Sequence, residues 1–460
     1  MKKHFDYIVI GTGPGGQEAA LEASKHGYRV AIIEKERFIG GACVHRGTIP
    51  SKTLRETAFN ISKIKQSAIG FSFQLPEGTQ VESLMTRKDS VLNAHVEYMT
   101  KHLKDKNITH YRGRASFVTE HEIQVMRIDG ELEFLTADKI IIATGSRPRH
   151  PENIPVDHEN ILDSDSILSM IYLPTSMTIL GGGVISCEYA TFFAVLGVKV
   201  TIIDTSDRPL RFLEPELTEK FIADFESMGG TYLGEEQIKS VEWDGVSNVR
   251  TNLESGKVVD SAKLLVALGR LANIEILKPE KVGIKLSNRG QVLVNEFYQT
   301  NLKHIYAVGD IIGFPSLASC SLEQGRRAIS HSVGEVPKTD FSTIPMGIYT
   351  IPEISSVGLN QTDAIKQHDA VTVGYASFDE IARGQISGIQ NGLLKLIADK
   401  EGKKLLGVHI IGEGATELIH LGQMAILANF DIDVFIENVM NFPTLAEAYR
   451  VAALDIKEKL

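Results

Sequence analysis

The sequence has little cysteine, no long apolar run and no excess of positive charge. Three cysteines occur in 460 residues, Cys43, Cys187 and Cys320, and none of them forms a Cys-x-x-Cys pair. Three are too few for a disulfide framework and favour a reducing compartment. Lysine and arginine number 48 against 58 aspartate and glutamate residues, which gives a formal net charge of −10. This charge repels the phosphate backbone of nucleic acids.

Neither of the two stretches that could indicate export or a membrane helix fits that role. After the basic start Met1-Lys2-Lys3-His4, the apolar run covers only about six residues, too short for a signal peptide. The longest uncharged stretch, 166–187, is interrupted by Pro174 and a triple glycine, which disfavours a membrane helix. We therefore expect a cytoplasmic globular protein with no membrane or nucleic-acid partner. Its length suggests about three domains.

A glycine-rich turn near the N-terminus lies between a predicted strand and a predicted helix. The strand covers 5–10, the helix covers 17–25, and a second strand at 28–33 ends at Glu34. This order of strand, Gly-x-Gly-x-x-Gly, helix, strand and acid is typical of dinucleotide binding. The glycines permit a tight turn, a close pyrophosphate and close helix packing, and the acid can accept a hydrogen bond from a ribose. The three glycines of the pattern are Gly11, Gly13 and Gly16.

The same layout returns later in the chain. A strand at 177–180 leads into Gly181-Gly182-Gly183, a helix follows at 185–196, and a strand at 198–203 ends at Asp204. The step from Gly11 to Glu34 and the step from Gly181 to Asp204 are both 23 residues. Ser186 takes the third glycine position, where a small side chain should still pack. Two matching units predict two dinucleotide sites; the alternative for each is an ordinary βα turn with a surface acid.

Three later segments have the pattern of strands that return beside these units. Residues 139–143 lead into Gly145, 263–267 lead into Gly269, and 305–308 lead into Gly309-Asp310. With the two glycine turns, they resemble the flavin- and nicotinamide-dependent disulfide reductases. That resemblance implies FAD at the first turn, a nicotinamide nucleotide at the second, and contact between Asp310 and the flavin ribityl chain.

The resemblance also implies the fold class. We expect an α/β protein with two Rossmann-like dinucleotide-binding domains, the NAD domain inserted in the FAD domain, followed by a C-terminal α+β dimerisation domain. The implied boundaries are 1–147 and 273–340 for the FAD-binding domain, 148–272 for the NAD(P)-binding domain and 341–460 for the dimerisation domain. A homodimer is the expected partner arrangement, and a monomeric α+β cap is the alternative.

The last region has its own pattern. Residues 371–376, 393–398 and 405–411 read as antiparallel strands, with a hairpin turn at 399–402. Residues 415–429 read as an amphipathic helix. The apolar residues of this helix available for burial are Leu418, Ile419, Met424 and Ile426.

Two positions depart from the disulfide reductases. In those enzymes the segment that corresponds to 40–52 carries two cysteines five positions apart, and here Cys43 is present but Thr48 takes the second position. A histidine near their C-terminus is the acid–base partner of the thiols, and here Phe442 stands in its place. A hydroxyl cannot form a disulfide and a phenyl ring cannot transfer a proton. The combination resembles one branch of the family, the soluble pyridine nucleotide transhydrogenases.

This resemblance implies an enzyme that exchanges hydride between NADPH/NADP⁺ and NADH/NAD⁺ through FAD. It implies that Lys52 and Glu188 form an ion pair beside flavin N5, and it makes both of them candidate catalytic residues. Cys43 is a third candidate, either as an inert small hydrophobe by the flavin or as a reactive thiolate. No cluster has metal-ligand spacing, so no metal is expected. The candidate cofactor-binding residues are Gly11, Gly13, Gly16, Glu34, Gly40, Gly41, Cys43, Lys52, Gly145, Asp310, Gly181, Gly183, Asp204, Arg208 and Gly269.

The choice of nucleotide depends on the end of the second unit. Asp204 favours a free 2′-hydroxyl and would repel the 2′-phosphate of NADPH. Ser206 stands where relatives offer a basic side chain, while Arg208 and Arg211 are close in sequence. We predict a preference for NADH. Two other functions remain open: an NADH oxidase or NAD(P)H:quinone or dye reductase, with Cys43 as a sulfenic acid, and a flavin-binding protein without turnover.

Overall fold

A computed structural model of the chain describes residues 3–67, 79–84, 88–336, 341–389 and 391–460. The chain divides into two compact units. Unit 1 comprises Met1–Thr53, Met85–Arg149 and Leu268–Thr339, and unit 2 comprises Leu54–Leu84, His150–Ala267 and Asp340–Leu460. The predicted NAD(P)-binding and dimerisation segments thus lie mainly in one unit, and the exact domain boundaries stay predictions.

The described residues form α-helices and short 3-10 helices. Short 3-10 helices occur at Ile167–Ser169, Glu275–Leu277, Pro279–Lys281, Gly309–Ile312 and Phe378–Glu380. The α-helices are α1 (Pro14–Lys25), α2 (Gly41–His45), α3 (Thr48–Ser67), α4 (Val81–Leu84), α5 (Lys88–Asp105), α6 (Val184–Val195), α7 (Pro215–Ser227), α8 (Ala318–Ser332), α9 (Gln361–His368), α10 (Ala382–Ser387), α11 (Ala415–Leu427), α12 (Asp433–Glu437) and α13 (Glu447–Glu458).

The described residues also form β-strands in several sheets. They are β1 (Lys3–Ile10), β2 (Val30–Glu34), β3 (Thr109–Arg112), β4 (Arg114–Thr119), β5 (Glu122–Met126), β6 (Leu132–Ile142), β7 (Ser146–Pro148), β8 (Ile161–Asp163), β9 (Ser176–Leu180), β10 (Lys199–Ile203), β11 (Thr231–Leu233), β12 (Ile238–Trp243), β13 (Val249–Leu253), β14 (Val258–Ser261), β15 (Lys263–Val266), β16 (Arg270–Ala272), β17 (Ile305–Ala307), β18 (Met346–Ile348), β19 (Ile354–Gly358), β20 (Val371–Ser377), β21 (Leu393–Asp399) and β22 (Leu405–Ile411).

Unit 1 is built on a sheet in the order β3-β2-β1-β6-β5-β4, with β17 also paired to β6. The pairs β1–β2, β1–β6, β2–β3 and β6–β17 are parallel, whereas β4, β5 and β6 pair antiparallel. Residues 7–10 of β1 are buried on both faces of the sheet, as expected for a parallel strand covered on both sides. The strand predicted at 139–143 is confirmed as the end of β6, and the strand predicted from Ile305 onwards is confirmed as β17.

The nucleotide-binding part of unit 2 repeats this arrangement with a second parallel sheet. Its order is β11-β10-β9-β15-β8, and α6 connects β9 to β10. Helix α6 is buried from Ser186 to Val195, so it is covered on all sides. Strands β12, β13 and β14 form a separate antiparallel sheet. The two parallel sheets confirm the predicted α/β class with two Rossmann-like layouts.

The C-terminal part of unit 2 is an antiparallel sheet in the order β18-β19-β22-β21-β20. Strands β20, β21 and β22 match the prediction, and the predicted hairpin turn closes with a hydrogen bond of 2.9 Å from Gly402 N to Asp399 O. Helix α11 buries Ile419, but Met424 is 55% exposed. In the single chain Met424 stays exposed because it points about 140° away from Ile419 around the helix, so its burial would need a partner surface.

Candidate functional site

The first glycine turn has the close contacts that the pattern predicts. Gly11 has φ +106°, and a β-carbon there would lie 2.3 Å from the carbonyl oxygen of Ala143. A β-carbon at Gly16 would lie 2.0 Å from the carbonyl oxygen of Gly11, so only glycine lets α1 pack this closely on the turn. Gly13 begins α1 without a side-chain cap, and no described residue lies within 4 Å of its missing β-carbon. The uncapped N–H groups are thus available to an anion.

Glu34 lies at the end of β2 and is buried beside the turn. Its Oε2 accepts hydrogen bonds from Thr12 N (3.1 Å) and Thr12 Oγ1 (2.5 Å), and its Oε1 accepts from Glu36 N (3.0 Å). The Thr12 hydroxyl also accepts from Gly40 N at 3.0 Å. Thr12, which lies between the first two glycines of the pattern, thus fixes both the Glu34 carboxylate and the Gly40-Gly41 segment. The role of Glu34 as a ribose acceptor stays a prediction.

Asp310 follows β17, and its carboxylate is fixed by Ser146 and, through Ser146, by Arg270. Neither residue was among the predicted site residues. Its Oδ2 accepts a 2.6 Å hydrogen bond from the Ser146 hydroxyl, and that hydroxyl accepts a 2.8 Å hydrogen bond from Arg270 Nε. The neighbouring Gly309 N donates to the buried side chain of Gln324 at 2.7 Å. These bonds fix the direction of the Asp310 carboxylate at the end of the parallel sheet.

Cys43 lies in the short helix α2, and Thr48 begins α3. Burial raises the pKa of the Cys43 thiol, and the negative charge of Asp310 acts in the same direction. A hydrogen bond with the Thr48 side chain and the charge of Lys52 oppose this rise in pKa without cancelling it. All three cysteines are free. The arrangement therefore favours a protonated thiol at neutral pH, with a hydroxyl rather than a second sulfur beside it.

The second glycine turn reproduces the first in unit 2. Gly181 has φ +103° and donates a 2.8 Å hydrogen bond to Ile203 O. Gly183 begins α6 without a side-chain cap. A β-carbon at Gly182 would lie 2.3 Å from Asp204 Oδ2, so the acid at the end of β10 rests directly on the turn. Ser186 is fully buried, in agreement with the expectation that it would pack.

Glu188 lies on α6 and is 5% exposed. Its Oε1 accepts a 2.9 Å hydrogen bond from Tyr349 N, and on the next turn the Thr191 hydroxyl accepts from Ile351 N at 3.2 Å. The segment 349–351 is thus bound to α6 through two polar side chains. Lys52 and Glu188 belong to different units, and their predicted pairing stays a prediction.

The two arginines after Asp204 differ in their contacts. Arg208 Nη1 donates to Leu213 O (3.2 Å) and to Thr218 Oγ1 (2.9 Å), and its Nη2 donates to Arg211 O (3.3 Å). Arg208 thus braces its own loop, and its assignment to the nucleotide stays a prediction. Arg211 is exposed, and its Nε lies 3.5 Å from Asp207 Oδ1.

The remaining predicted residues lie at the start of α2 or in loops of the two units. A β-carbon at Gly41 would lie 2.8 Å from Gly13 Cα, which places the Cys43 segment against the first turn. Gly145 precedes β7, and Gly269 precedes β16, which pairs antiparallel with β7. Phe442 is 75% exposed in unit 2. Among the described residues, no group of three or more His, Cys, Asp or Glu side chains is arranged to hold a metal ion, and no helix is long and apolar enough to cross a membrane.

Comparison with protein families gives two matches. The model described as pyridine nucleotide-disulphide oxidoreductase matches residues 5–325. The model described as pyridine nucleotide-disulphide oxidoreductase, dimerisation domain, matches residues 344–453.

Curated relatives match over their full length. A soluble pyridine nucleotide transhydrogenase from Vibrio atlanticus is 42% identical over 458 residues, with 98% of each chain covered. One from Mycobacterium bovis is 39% identical over 460 residues, which cover 100% of this chain and 98% of the relative.

Solved structures share the fold. LpdA from Mycobacterium tuberculosis has a TM-score of 0.90 at 26% identity and covers 97% of this chain and 99% of its own. The Cu(II) complex of the HOCl-induced flavoprotein disulfide reductase RclA from Escherichia coli has a TM-score of 0.89 at 25% identity, with 99% of each chain covered. The likeness therefore extends over both units.

Proposed function

The chain belongs to the pyridine nucleotide-disulphide oxidoreductase family, and we propose that it transfers hydride between pyridine nucleotides through FAD without a redox disulfide. The expected overall reaction converts NADPH and NAD⁺ into NADP⁺ and NADH. The observation that carries the proposal is the pairing of two intact glycine turns with a lone thiol: Cys43 has Thr48 beside it instead of a second cysteine. The names of the full-length relatives support the same activity.

The residues of the first turn fit FAD. Gly13 leaves open space at the uncapped start of α1, where a pyrophosphate would receive N–H hydrogen bonds. Glu34 offers a buried carboxylate at the end of β2 for a ribose. Asp310, fixed by Ser146, offers a partly exposed carboxylate for a hydroxyl of the ribityl chain. When bound, FAD supplies a ring that accepts hydride from one nucleotide and returns it to another.

The chain's own residues bind, orient and shield the reactants. The uncapped start of α6 at Gly183 would bind the pyrophosphate of a nicotinamide nucleotide, and Asp204 would accept from its adenosine ribose. Lys52 brings a positive charge whose effect reaches the Cys43 thiol, and we retain it as the cation of the flavin site. We retain Glu188 as a catalytic candidate because it is a nearly buried carboxylate on the helix that begins at the second glycine turn. Most of the rate enhancement would come from this positioning.

The alternative is a second function, reduction of oxygen, a quinone or a dye by the flavin. For oxygen, the alternative includes a route through a Cys43 sulfenic acid, formed when peroxide from oxygen reduction oxidises the thiol. That route needs a thiolate, because the thiolate is the form that peroxides oxidise. The raised pKa of Cys43 disfavours that form at neutral pH. Replacing Cys43 by serine separates the two functions: hydride exchange between nucleotides should persist at near wild-type rate, whereas a sulfenic-acid route would be lost.

A second copy of the chain is the proposed partner, and the cytoplasm is the proposed location. The match of residues 344–453 to the dimerisation domain supports a homodimer. Helix α11 also presents apolar side chains three positions apart on one exposed face, Leu421, Met424 and Leu427. Three free cysteines suit a reducing compartment.

The proposed activity is tested with purified protein under anaerobic conditions. NADPH and an NAD⁺ analogue with a distinct absorbance spectrum are mixed, and reduction of the analogue is followed. We expect reduction that depends on the protein and on its bound flavin. Absence of transfer from NADPH or from NADH to the analogue, with flavin bound, would overturn the proposal.

A further inference from the structure

Unit 2 contains a buried lysine that the proposed reaction does not use. Lys395 lies in the middle of β21, and its side chain has no exposed surface. Its ammonium donates hydrogen bonds to Glu214 Oε2 (2.6 Å), Glu216 Oε1 (2.7 Å) and Gln361 Oε1 (2.8 Å). These four residues form the Lys395 cluster. A buried charge is costly unless it is paired and fully hydrogen-bonded, and here all three ammonium protons have acceptors.

The cluster is stable only as a complete set. Burial by itself would lower the pKa of Lys395, but the hydrogen bonds to Glu214 and Glu216 outweigh burial and raise the pKa. The same ammonium holds the pKa of Glu216 below its usual value against the effect of burial. Without the lysine, the buried Glu214 carboxylate and the partly exposed Glu216 carboxylate would lie close together with no cation between them.

The two carboxylates of the Lys395 cluster, those of Glu214 and Glu216, lie at the start of helix α7. Glu214 immediately precedes the helix, yet its side chain makes no cap bond to it. Its Oε1 instead accepts a 2.7 Å hydrogen bond from Gln361 N, at the start of α9. Glu216 Oε1 also accepts a 2.9 Å hydrogen bond from the Tyr375 hydroxyl on β20. Three elements of the C-terminal sheet region therefore hold the first turn of α7.

The segment 205–213, which we call the nucleotide loop, runs from Asp204 to this first turn. Leu210 N donates a 2.9 Å hydrogen bond to Gly182 O, the carbonyl of the glycine turn. Leu213 N donates to Leu210 O at 2.8 Å, and Arg208 ties Leu213 O to the Thr218 hydroxyl of α7. The loop is thus fixed at one end by the glycine turn and at the other by α7.

We propose that Lys395 is a positioning residue for the pyridine nucleotide site: by fixing Glu214 and Glu216 it holds the nucleotide loop against Gly182 and sets the place of the Asp204 carboxylate. This inference rests on the proposed function, which assigns the second glycine turn to the nicotinamide nucleotide. Lys395 acts only through the chain of contacts from Glu214 to Leu210 and Gly182. A shift of this loop weakens binding of the adenosine half equally in the ground state and the transition state, so it raises KM rather than lowering kcat.

The first variant is Lys395→Met, which keeps the length of the side chain and removes its charge. The KM for NADH in anaerobic turnover with the NAD⁺ analogue should rise by about tenfold, while kcat stays within about twofold of wild type. FAD content and flavin absorbance should be unchanged. Hydrogen exchange of segment 205–213 should become faster, a readout that does not depend on activity.

A matched control distinguishes positioning from general loss of stability. The buried Tyr449 hydroxyl donates to Leu418 O (2.7 Å) and accepts from Gly422 N (3.2 Å), in the same C-terminal region but without contact to the Lys395 cluster. Tyr449→Phe should lower the melting temperature without changing the KM for NADH or the exchange of the nucleotide loop. Equal KM values for Lys395→Met and Tyr449→Phe at equal loss of melting temperature would overturn the inference.

A second variant serves if Lys395→Met does not fold. Glu214→Gln keeps the size of the side chain and removes the charge that pairs with Lys395; a raised KM supports the inference, and a wild-type KM with wild-type exchange overturns it. Failure of the proposed function is seen separately in wild-type protein, as absence of hydride transfer to the NAD⁺ analogue or absence of flavin bleaching at any NADH concentration. Failure of the positioning role alone leaves wild-type bleaching intact and the variants indistinguishable from it.

Discussion

The Thr48 side chain lies beside the thiol of Cys43, where it opposes the rise that burial causes in the pKa of that thiol. By the family resemblance, Thr48 occupies the place of the second redox cysteine, so the two groups that would form a disulfide in a reductase are here a thiol and a hydroxyl. A hydroxyl cannot store electrons with a thiol. On the proposed function, this segment therefore has no redox step of its own.

This geometry predicts that Thr48→Cys restores a disulfide. Of the four cysteines in that variant, two should be unreactive to a thiol reagent in denaturant before reduction, whereas wild type, with its three cysteines, should show all of them reactive. Thr48→Ser, which keeps the hydroxyl, is the control and should behave as wild type. Four reactive thiols in air-oxidised Thr48→Cys would show that the side chains at 43 and 48 do not meet as described.

Asp204 predicts a preference for NADH. Because its carboxylate rests against Gly182, a 2′-phosphate bound at this turn would meet a negative charge. Replacing Asp204 by asparagine and Ser206 by arginine should raise kcat/KM for NADPH relative to NADH by roughly tenfold or more. Asp207→Asn removes an exposed acid nearby and should leave the ratio unchanged. Comparable efficiency with both nucleotides in wild type would contradict this role of Asp204.

The raised pKa of the buried Asp224 carboxyl predicts that the free energy of unfolding falls as pH rises. Burial raises the pKa of its carboxyl from 3.8 to about 6. The folded state therefore holds this proton more tightly than the unfolded state, and the resulting stability is present below about pH 4 and lost as pH rises through about 6.

Replacing Asp224 by asparagine should raise the free energy of unfolding at pH 8 by roughly 1 kcal/mol, allowing for partial solvent screening, and change little near pH 4. Thermal unfolding at both pH values measures this, with Glu226→Gln on the exposed face of the same helix as control. A pH-independent effect of Asp224→Asn would refute the assignment.

The exposed face of α11 predicts how the dimer is held. Met424→Glu places a charge among Leu421 and Leu427 and should shift the protein from dimer to monomer in sedimentation velocity. Ile365 on α9 is a comparably exposed apolar residue, and Ile365→Glu should leave the dimer intact. A stable Met424→Glu dimer would place the interface elsewhere.

The sequence predicted the parts of the fold that depend on local pattern. The turns at Gly11 and Gly181 could be predicted because a backbone at positive φ favours glycine, and a glycine is visible in the sequence. The antiparallel strands β4, β5, β12, β13 and β14 were not predicted, since short strands of mixed polarity carry a weak signal.

Contacts between distant residues could not be read from the sequence. Asp310 meets Ser146 across 164 positions, and Lys395 meets Glu214 across 181. Alternation along β21 would have assigned Lys395 to a solvated face, but the strand is covered on both sides. Thr12 could have been suspected from its place between two glycines, yet its bond to Glu34 depends on how β1 and β2 pair.

We infer that this protein accepts electrons on its flavin and none on sulfur. Anaerobic titration of the purified, FAD-loaded protein with dithionite measures this, because each redox-active disulfide adds one two-electron equivalent. Complete bleaching of the flavin is expected after one equivalent per FAD, with no long-wavelength charge-transfer band. Uptake of two equivalents per FAD, or such a band at the halfway point, would contradict it.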